Sequence, residues 1–432
     1  MGGCAHEPQT DFEAAPVAVT CPAAELPEGA RCLRGTDSAG APYLIAMPRR
    51  WNGVLVLHAH GGPTFGAPTS KRTDADLKRW AVVVRAGYAW AASAFHDSGV
   101  AVRSAAEDTE RLRRIFVHDV ARPKVTILHG QSWGASVAEK AAELYASGSG
   151  PSSYDGVLLT SGVLAGATRA YDFRLDLRVV YQYLCGNHPR PDEPQYPLWM
   201  GLPRDAALTR TELAARVDRC LGVRRKPAER TAEQERKLRT IADVVRIPQR
   251  SVLSHLEWAT WGFRDIVQNR THGLNPFGNV GVRYAGSDDD DALNAGVLRY
   301  RADARAVALL AADADLTGRI AVPVLTVHAI DDPTAFVEMD AAFRRTMIDS
   351  GTADHLVQTF TDDHEHSYLS DPDYPALLAA LLDWVQHGRK PTPAGVAQRC
   401  MVLEAEFGPG CRFLPDYHPK PLDMRVAIEA RR

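Results

Sequence analysis

The chain has 432 residues, 45% of them hydrophobic and 24% charged, with 28 Pro, 33 Gly and a formal net charge of −3. This is the composition of a globular protein long enough for one elaborated domain or two. No apolar run reaches the ~20 residues of a membrane span. The charge balance also offers nothing to nucleic acid or to an anionic membrane surface.

In chain order, Cys32 to Pro48 reads as two strands around a Ser-Ala-Gly turn, and Val54 to Leu57 as an apolar strand running into His58-Ala59-His60-Gly61-Gly62. Asp74 to Ala86 has helical spacing through Leu77, Trp80, Ala81 and Val84, and stops at Gly87. Tyr88 to Phe95 reads as a strand and Ala105 to Val120 as a charged amphipathic helix. Val125 to Leu128 is an apolar run fit for a strand buried on both faces, followed by helical text over Ala135 to Ser147. Gly156 to Thr160 is a further strand. From about Gly166 to Asp315 the text is helical and aromatic. Strands return at Ile320 to Val327 and His355 to Phe360, with helices over Phe336 to Ser350 and Tyr374 to Gly388.

The alternation predicts an α/β fold: a mostly parallel sheet with helices on both faces, interrupted by an insertion of roughly 150 residues, itself of domain size. The divisions are an N-terminal extension (1–39), a discontinuous core (40–165 and 318–390), the helical insertion (166–317) and a tail (391–432) without sustained periodicity. The aspartate run Asp288 to Asp291 lacks the spaced ligands of a calcium loop and reads as a solvated loop.

Six of the seven cysteines fall into successive neighbours: Cys21/Cys32, Cys185/Cys220 and Cys400/Cys411. None has metal-ligand spacing with histidines nearby, so three local disulfides and an oxidising compartment are expected.

Gly130-Gln131-Ser132-Trp133-Gly134 fits G-x-S-x-G between a strand and a helix, the context in which a serine is held on a sharp, exposed turn. The Trp133 N–H then opens a helix and is free to bind an oxyanion. A serine nucleophile needs a base and an orienting carboxylate, expected after later strands of the same sheet. Asp331 and Asp332 follow one such strand; His364 and His366 follow the next.

On these motifs the chain resembles the α/β-hydrolase superfamily over its discontinuous core. The resemblance implies the α/β-hydrolase fold with a Ser, Asp, His chain order. The family's G-x-x-D acid pattern falls on Ala329-Ile330-Asp331-Asp332, with Ala for Gly, and favours Asp332 over Asp331. Its G-H-S pattern falls on Glu365-His366-Ser367 and favours His366 over His364. Its HGG oxyanion loop resembles His60-Gly61-Gly62-Pro63. Pro63 has no N–H, so Gly61 or Gly62 donates beside Trp133, with Gly62 preferred. His58 reads as structural. The insertion stands where the family carries a lid. Among Tyr171, Tyr181, Tyr183, Tyr196, Trp199, Trp258, Trp261 and Phe263, the candidates for a substrate pocket are Trp258, Trp261 and Tyr181. Such a lining suits a bulky or aromatic ester.

The resulting expectation is a serine hydrolase of carboxylic esters, acting on a small molecule with no cofactor and no metal. HGGP and GQSWG also resemble motifs of prolyl-aminopeptidases. That alternative needs cap carboxylates to hold a free amine, with Glu257 and Asp265 available. Acyl transfer is a third reading, and a non-catalytic binding protein on this fold a fourth. Gly2-Gly3-Cys4 resembles the end of a bacterial lipoprotein signal. That implies a secreted, periplasmic or surface-anchored protein with a lipid anchor at Cys4 and Glu7 to Pro27 as tether.

Overall fold

The computed structural model describes residues 14–146 and 152–426. Among them, nine strands form one sheet: β1 (Val17–Val19), β2 (Arg31–Thr36), β3 (Pro42–Met47), β4 (Val54–Ala59), β5 (Ala89–Ser93), β6 (Val125–Gln131), β7 (Gly156–Thr160), β8 (Val324–Ala329) and β9 (Leu356–Thr361). Their spatial order is β1-β2-β3-β5-β4-β6-β7-β8-β9. β1, β2 and β3 pair antiparallel, as do β3 and β5. From β5 through β4 to β9 every pairing is parallel. The chain leaves β4 for β5 on one side and resumes at β6 on the other. A topological switch point therefore lies between β4 and β6, and a crevice opens there beyond the carboxyl ends of the strands. This is the α/β-hydrolase fold.

The flanking helices before the insertion are α1 (Ser70–Arg79), α2 (Ala81–Arg85), α3 (Val102–Ile115) and α4 (Trp133–Tyr145). Between β7 and β8 come α5 (Ala167–Ala170), α6 (Phe173–Cys185), α7 (Arg210–Leu221), α8 (Ala232–Val245), α9 (Val252–Asp265), α10 (Asp290–Gly296) and α11 (Ala304–Ala314). α12 (Glu338–Asp349), α13 (Asp373–His387) and α14 (Pro393–Phe407) follow. The two-residue period of the strands divides the apolar side chains between two cores. Val54, Val56 and Ile127 pack with α1, α2 and α13 through Leu77, Val83 and Leu377. Leu55, Leu57 and Leu128 pack on the other face with α3, α4 and α12 through Leu112, Val137 and Phe343. All seven residues of β6 are buried, as its unbroken apolar run requires.

Local departures from the sequence expectations have simple causes. The helix expected over Asp74 to Ala86 breaks at Trp80, which ends α1 and begins α2. β8 begins at Val324 because Pro323 cannot donate to a ladder. The aspartate run is not a free loop: Asp289 caps α10, its carboxylate accepting from the Ala292 N–H at 2.9 Å. The tail carries α14, capped by Thr392. That helix buries only Val396 and Cys400 while Met401 and Val402 stay exposed, so its sequence shows little periodicity. Within the expected tether, Val17–Val19 forms β1 at the sheet edge, and Cys21 is bonded to Cys32. Cys4 lies outside the described residues.

The other disulfides are Cys185–Cys220, joining α6 to α7, and Cys400–Cys411, which ties α14 to the chain beyond it. No helix among the described residues is long and apolar enough to cross a membrane. Cys185–Cys220 closes a loop spanning 35 residues. Replacing both cysteines by serine is expected to lower the unfolding free energy by about 3–4 kcal/mol, read by chemical denaturation of the oxidised protein and the variant side by side.

Candidate active site

The site begins with a turn that the polypeptide resists. Ser132, between β6 and α4, has φ 56° and ψ −122°, a combination that costs an L-residue of order 1–3 kcal/mol. Its neighbours hold it there. The Ser132 N–H donates to Thr160 O at 2.9 Å, and its carbonyl accepts from the Ala135 and Val163 N–H groups at 3.0 Å each. The flanking glycines permit the approach of strand and helix. A Cβ on Gly130 would stand 2.3 Å from Gly134 O, and one on Gly134 would stand 2.1 Å from Ala59 O at the end of β4.

Beside this turn stand side chains from two later loops. His366, after β9, sets Nε2 2.8 Å from Ser132 Oγ and Nδ1 2.7 Å from Asp332 Oδ2. Asp332, after β8, is 4% exposed, and its other oxygen accepts from the Thr334 and Ala335 N–H groups at 2.7 and 3.0 Å. The runner-up residues make a separate pair. His364 Nδ1 lies 2.9 Å from Asp331 Oδ2, both side chains exposed, with Arg250 donating to both backbones.

A residue not anticipated from sequence stands behind Asp332. His328, in β8, is fully buried, with Nε2 3.3 Å from Asp332 Oδ2 and Nδ1 2.6 Å from Asp340 Oδ2. Burial opposes its charge, but Asp340 and Asp332 outweigh burial and raise its pKa to about 10. Burial would likewise raise Asp332, yet His366 and His328 prevail and hold it at about 2. The carboxylate is thus kept ionised, though buried, by His366 and then His328. In the sequence His328 is simply a histidine four residues before Asp332, in a strand whose other polar residue is Thr326.

The Trp133 N–H opens α4 and has no intrahelical acceptor. The loop after β4 runs beside it. Arg72 donates through Nη2 to Gly61 O, and the Gln131 side chain fills the space against Gly61 Cα. His60 is buried, its ring against Phe95 with centroids 4.5 Å apart, and burial drives its pKa well down. His58, in β4, sets Nδ1 3.1 Å from His129 Nδ1 of the neighbouring β6. Burial pushes both of these pKa values far below the usual imidazole range, so they pack as neutral rings.

A cavity of about 290 Å³ opens over Ser132 and His366, walled by Gly61, Gly62, Trp133, Tyr171, Arg174 and Trp258. Of the aromatic residues expected to line a pocket, Trp258 is in this wall. Trp261 and Tyr181 are not. Trp261, about 60° further round α9, lies under the Arg210 guanidinium, which is 4.5 Å from its ring centroid. Tyr181 is buried within the insertion, its hydroxyl donating to Asn187 Oδ1 at 2.6 Å. Among the described residues, one acidic and cysteine cluster has metal-like spacing: Asp373, Cys400 and Cys411. Both of its sulfurs are committed to a disulfide.

Sheet order and strained serine turn together define an α/β-hydrolase-fold protein. Solved structures with some similarity include feruloyl esterase B from Aspergillus oryzae, 13% identical over 87% of this chain and 86% of that one, TM-score 0.42. Candida antarctica lipase A is 12% identical over 93% and 85%, TM-score 0.39. A rice cell wall degrading esterase from Xanthomonas oryzae is 14% identical over 87% and 90%, TM-score 0.38. These likenesses are distant, and no family model or curated protein matches the sequence.

The His328 charge makes stability depend on pH. With a native pKa of about 10 against 6.5 unperturbed, the folded state binds the extra proton between those values. Stability is therefore full below pH ~6.5 and falls as pH rises toward 10, by at most about 1.4 kcal/mol per pH unit. Denaturation midpoints measured from pH 6 to 10 should show this slope, and His328→Gln should flatten it while lowering stability throughout.

Proposed function

We propose that the protein is a serine hydrolase of carboxylic esters, with Ser132 as nucleophile, His366 as general base and acid, and Asp332 as the carboxylate that orients His366. The observation that carries this reading is the continuous hydrogen-bonded line from Ser132 through His366 to Asp332 at the carboxyl edge of the sheet. Ser132 Oγ attacks the ester carbonyl while His366 Nε2 takes its proton, and Asp332 stabilises the imidazolium. The Trp133 N–H, with that of Gly62 or Gly61, receives the oxyanion. Collapse of the tetrahedral intermediate breaks the C–O bond, and His366 returns the proton to the departing alkoxide. Water, activated by the same imidazole, then frees the acid and restores Ser132.

The helical segment between β7 and β8 acts as the cap over the cavity, supplying Tyr171, Arg174 and Trp258. At about 290 Å³ the cavity suits a compact acyl or aryl group rather than a long chain. The aminopeptidase alternative loses its footing on the disposition of the cap carboxylates. Glu257 pairs with Arg210, Asp265 accepts from the Val100 N–H at 2.6 Å, and among the described residues no carboxylate lines the cavity wall. Three disulfides support export to an oxidising compartment, where Cys4 would carry the lipid anchor.

Turnover of p-nitrophenyl esters tests the assignment. Ser132→Ala should lower kcat by about 10⁴-fold or more, and Asp332→Asn by about 10³–10⁴-fold. Asp331→Asn and His364→Gln should stay within about twofold of the wild type, since surface pairs of this kind contribute little. A larger loss from Asp331→Asn than from Asp332→Asn would overturn the choice of acid, and full activity in Ser132→Ala would overturn the function.

A further inference from the structure

The cavity over Ser132 has a feature that ester hydrolysis alone does not require. Arg174, near the start of α6, is only 4% exposed, yet no carboxylate among the described residues pairs with it. Its Nη1 donates to Ala170 O at 3.1 Å, and its Nε has no acceptor. The guanidinium lies against aromatic faces, 4.3 Å from the Trp258 ring centroid, 4.5 Å from Phe173 and 5.6 Å from Tyr171. Aromatic faces attract the charge but accept none of its in-plane N–H groups.

Other buried arginines of the insertion are better served. Arg178 donates to Gly201 O and Ala259 O, and Arg216 pairs with both Glu193 and Glu212. A dry cation without a counter-charge is costly, and burial pulls the Arg174 pKa down to about 9, leaving it charged at neutral pH. Two more arginines, Arg72 and Arg79, share the cavity wall, which contains no Asp or Glu. Arg72 is committed to Asp76 and to Gly61 O. The wall therefore carries an excess of positive charge, and the buried Arg174 in it is unmatched.

Resting on the ester-hydrolase reading, we infer that the substrate is an ester bearing an anionic group of the carboxylate class, which pairs with Arg174 in the cavity beside Ser132. A planar carboxylate matches the guanidinium fork, and an aryl or short alkyl spacer would lie against Tyr171 and Trp258. The same arrangement disfavours a substrate with a free ammonium group.

Two near-isosteric ester pairs, followed by pH-stat at low ionic strength, test this. Monomethyl adipate against methyl hexanoate places the charge on the acyl side; 4-acetoxybenzoate against phenyl acetate places it on the alcohol side. In the wild type, at least one charged ester should exceed its neutral partner in kcat/KM by about tenfold, the effect of one charge-assisted hydrogen bond. That ratio should fall toward one in Arg174→Gln and partly return in Arg174→Lys. A wild-type ratio at or below one for both pairs would overturn the inference. So would a ratio unchanged in Arg174→Gln, even with all rates lowered, because Arg174 would then serve every ester alike.

Should Arg174→Gln fail to fold, competitive inhibition of the wild type decides. 4-Hydroxybenzoate should bind about tenfold more tightly than 4-hydroxybenzamide, or hexanoate than hexanamide, and equal inhibition within both pairs overturns the proposal. Turnover of neutral esters without any charge preference defeats this inference alone. Absence of turnover for all four esters defeats the hydrolase reading beneath it.

Discussion

The backbone of Ser132 is the constraint on which the rest of the site depends. An L-residue at φ 56° and ψ −122° persists only where its surroundings over-determine it. Here they do so by contact. Gly130 lets β6 and α4 close on each other, and Gly134 lets α4 close on the end of β4. The second contact also sets the neighbouring loop, because Ala59 O and His60 O, which abut Gly134, lead directly into Gly61 and Gly62. One packing arrangement therefore aligns the serine, the first N–H groups of α4 and the glycine loop. The parallel strands β8 and β9, extending the sheet beyond β7, bring the loops bearing Asp332 and His366 to the same edge.

Charge is then laid out in a region from which water is largely removed. Asp332 is stabilised on one oxygen by two backbone N–H groups and on the other by His366 and His328. His328 is in turn held between two carboxylates, which makes a buried alternation of signs from Asp340 through His328 to Asp332. In a low-dielectric interior such an alternation is stable only when complete; removing a member leaves a charge without its counterpart. Across the cavity the pattern is not complete. Among the described residues Arg174 has aromatic neighbours and one carbonyl but no anion, and on that asymmetry the proposed preference for a carboxylate rests.

The sheet was legible in the sequence because buried parallel strands write themselves as apolar runs, and Val54 to Leu57 and Val125 to Leu128 are such runs. The nucleophile turn was legible because its glycines are demanded by contact at both ends. Asp332 and His366 were less so. Each has an acidic or imidazole neighbour at nearly the same place in the chain, and only the turn of the loop decides which side chain faces inward. His328 and Arg174 could not be read at all. A histidine in an apolar strand looks like any packed ring until the carboxylates around it are known. Arg174 is flanked by Phe173 and Leu175, and its environment is made by Tyr171 and by Trp258, 84 positions further on. Aromatic character alone did not separate Trp258, in the cavity wall, from Trp261, covered by Arg210. The C-terminal helix and the edge strand β1 bury too little to leave a periodic trace.

The central claim, that the strained serine is made reactive by the line of groups behind it, is tested most directly by locating a covalent adduct. After treatment with a fluorophosphonate, peptide mass spectrometry should find one phosphonylated residue per chain, Ser132, and His366→Gln should lose that adduct while remaining folded. An unmodified Ser132 in the wild type, or an adduct on a different serine, would contradict the account.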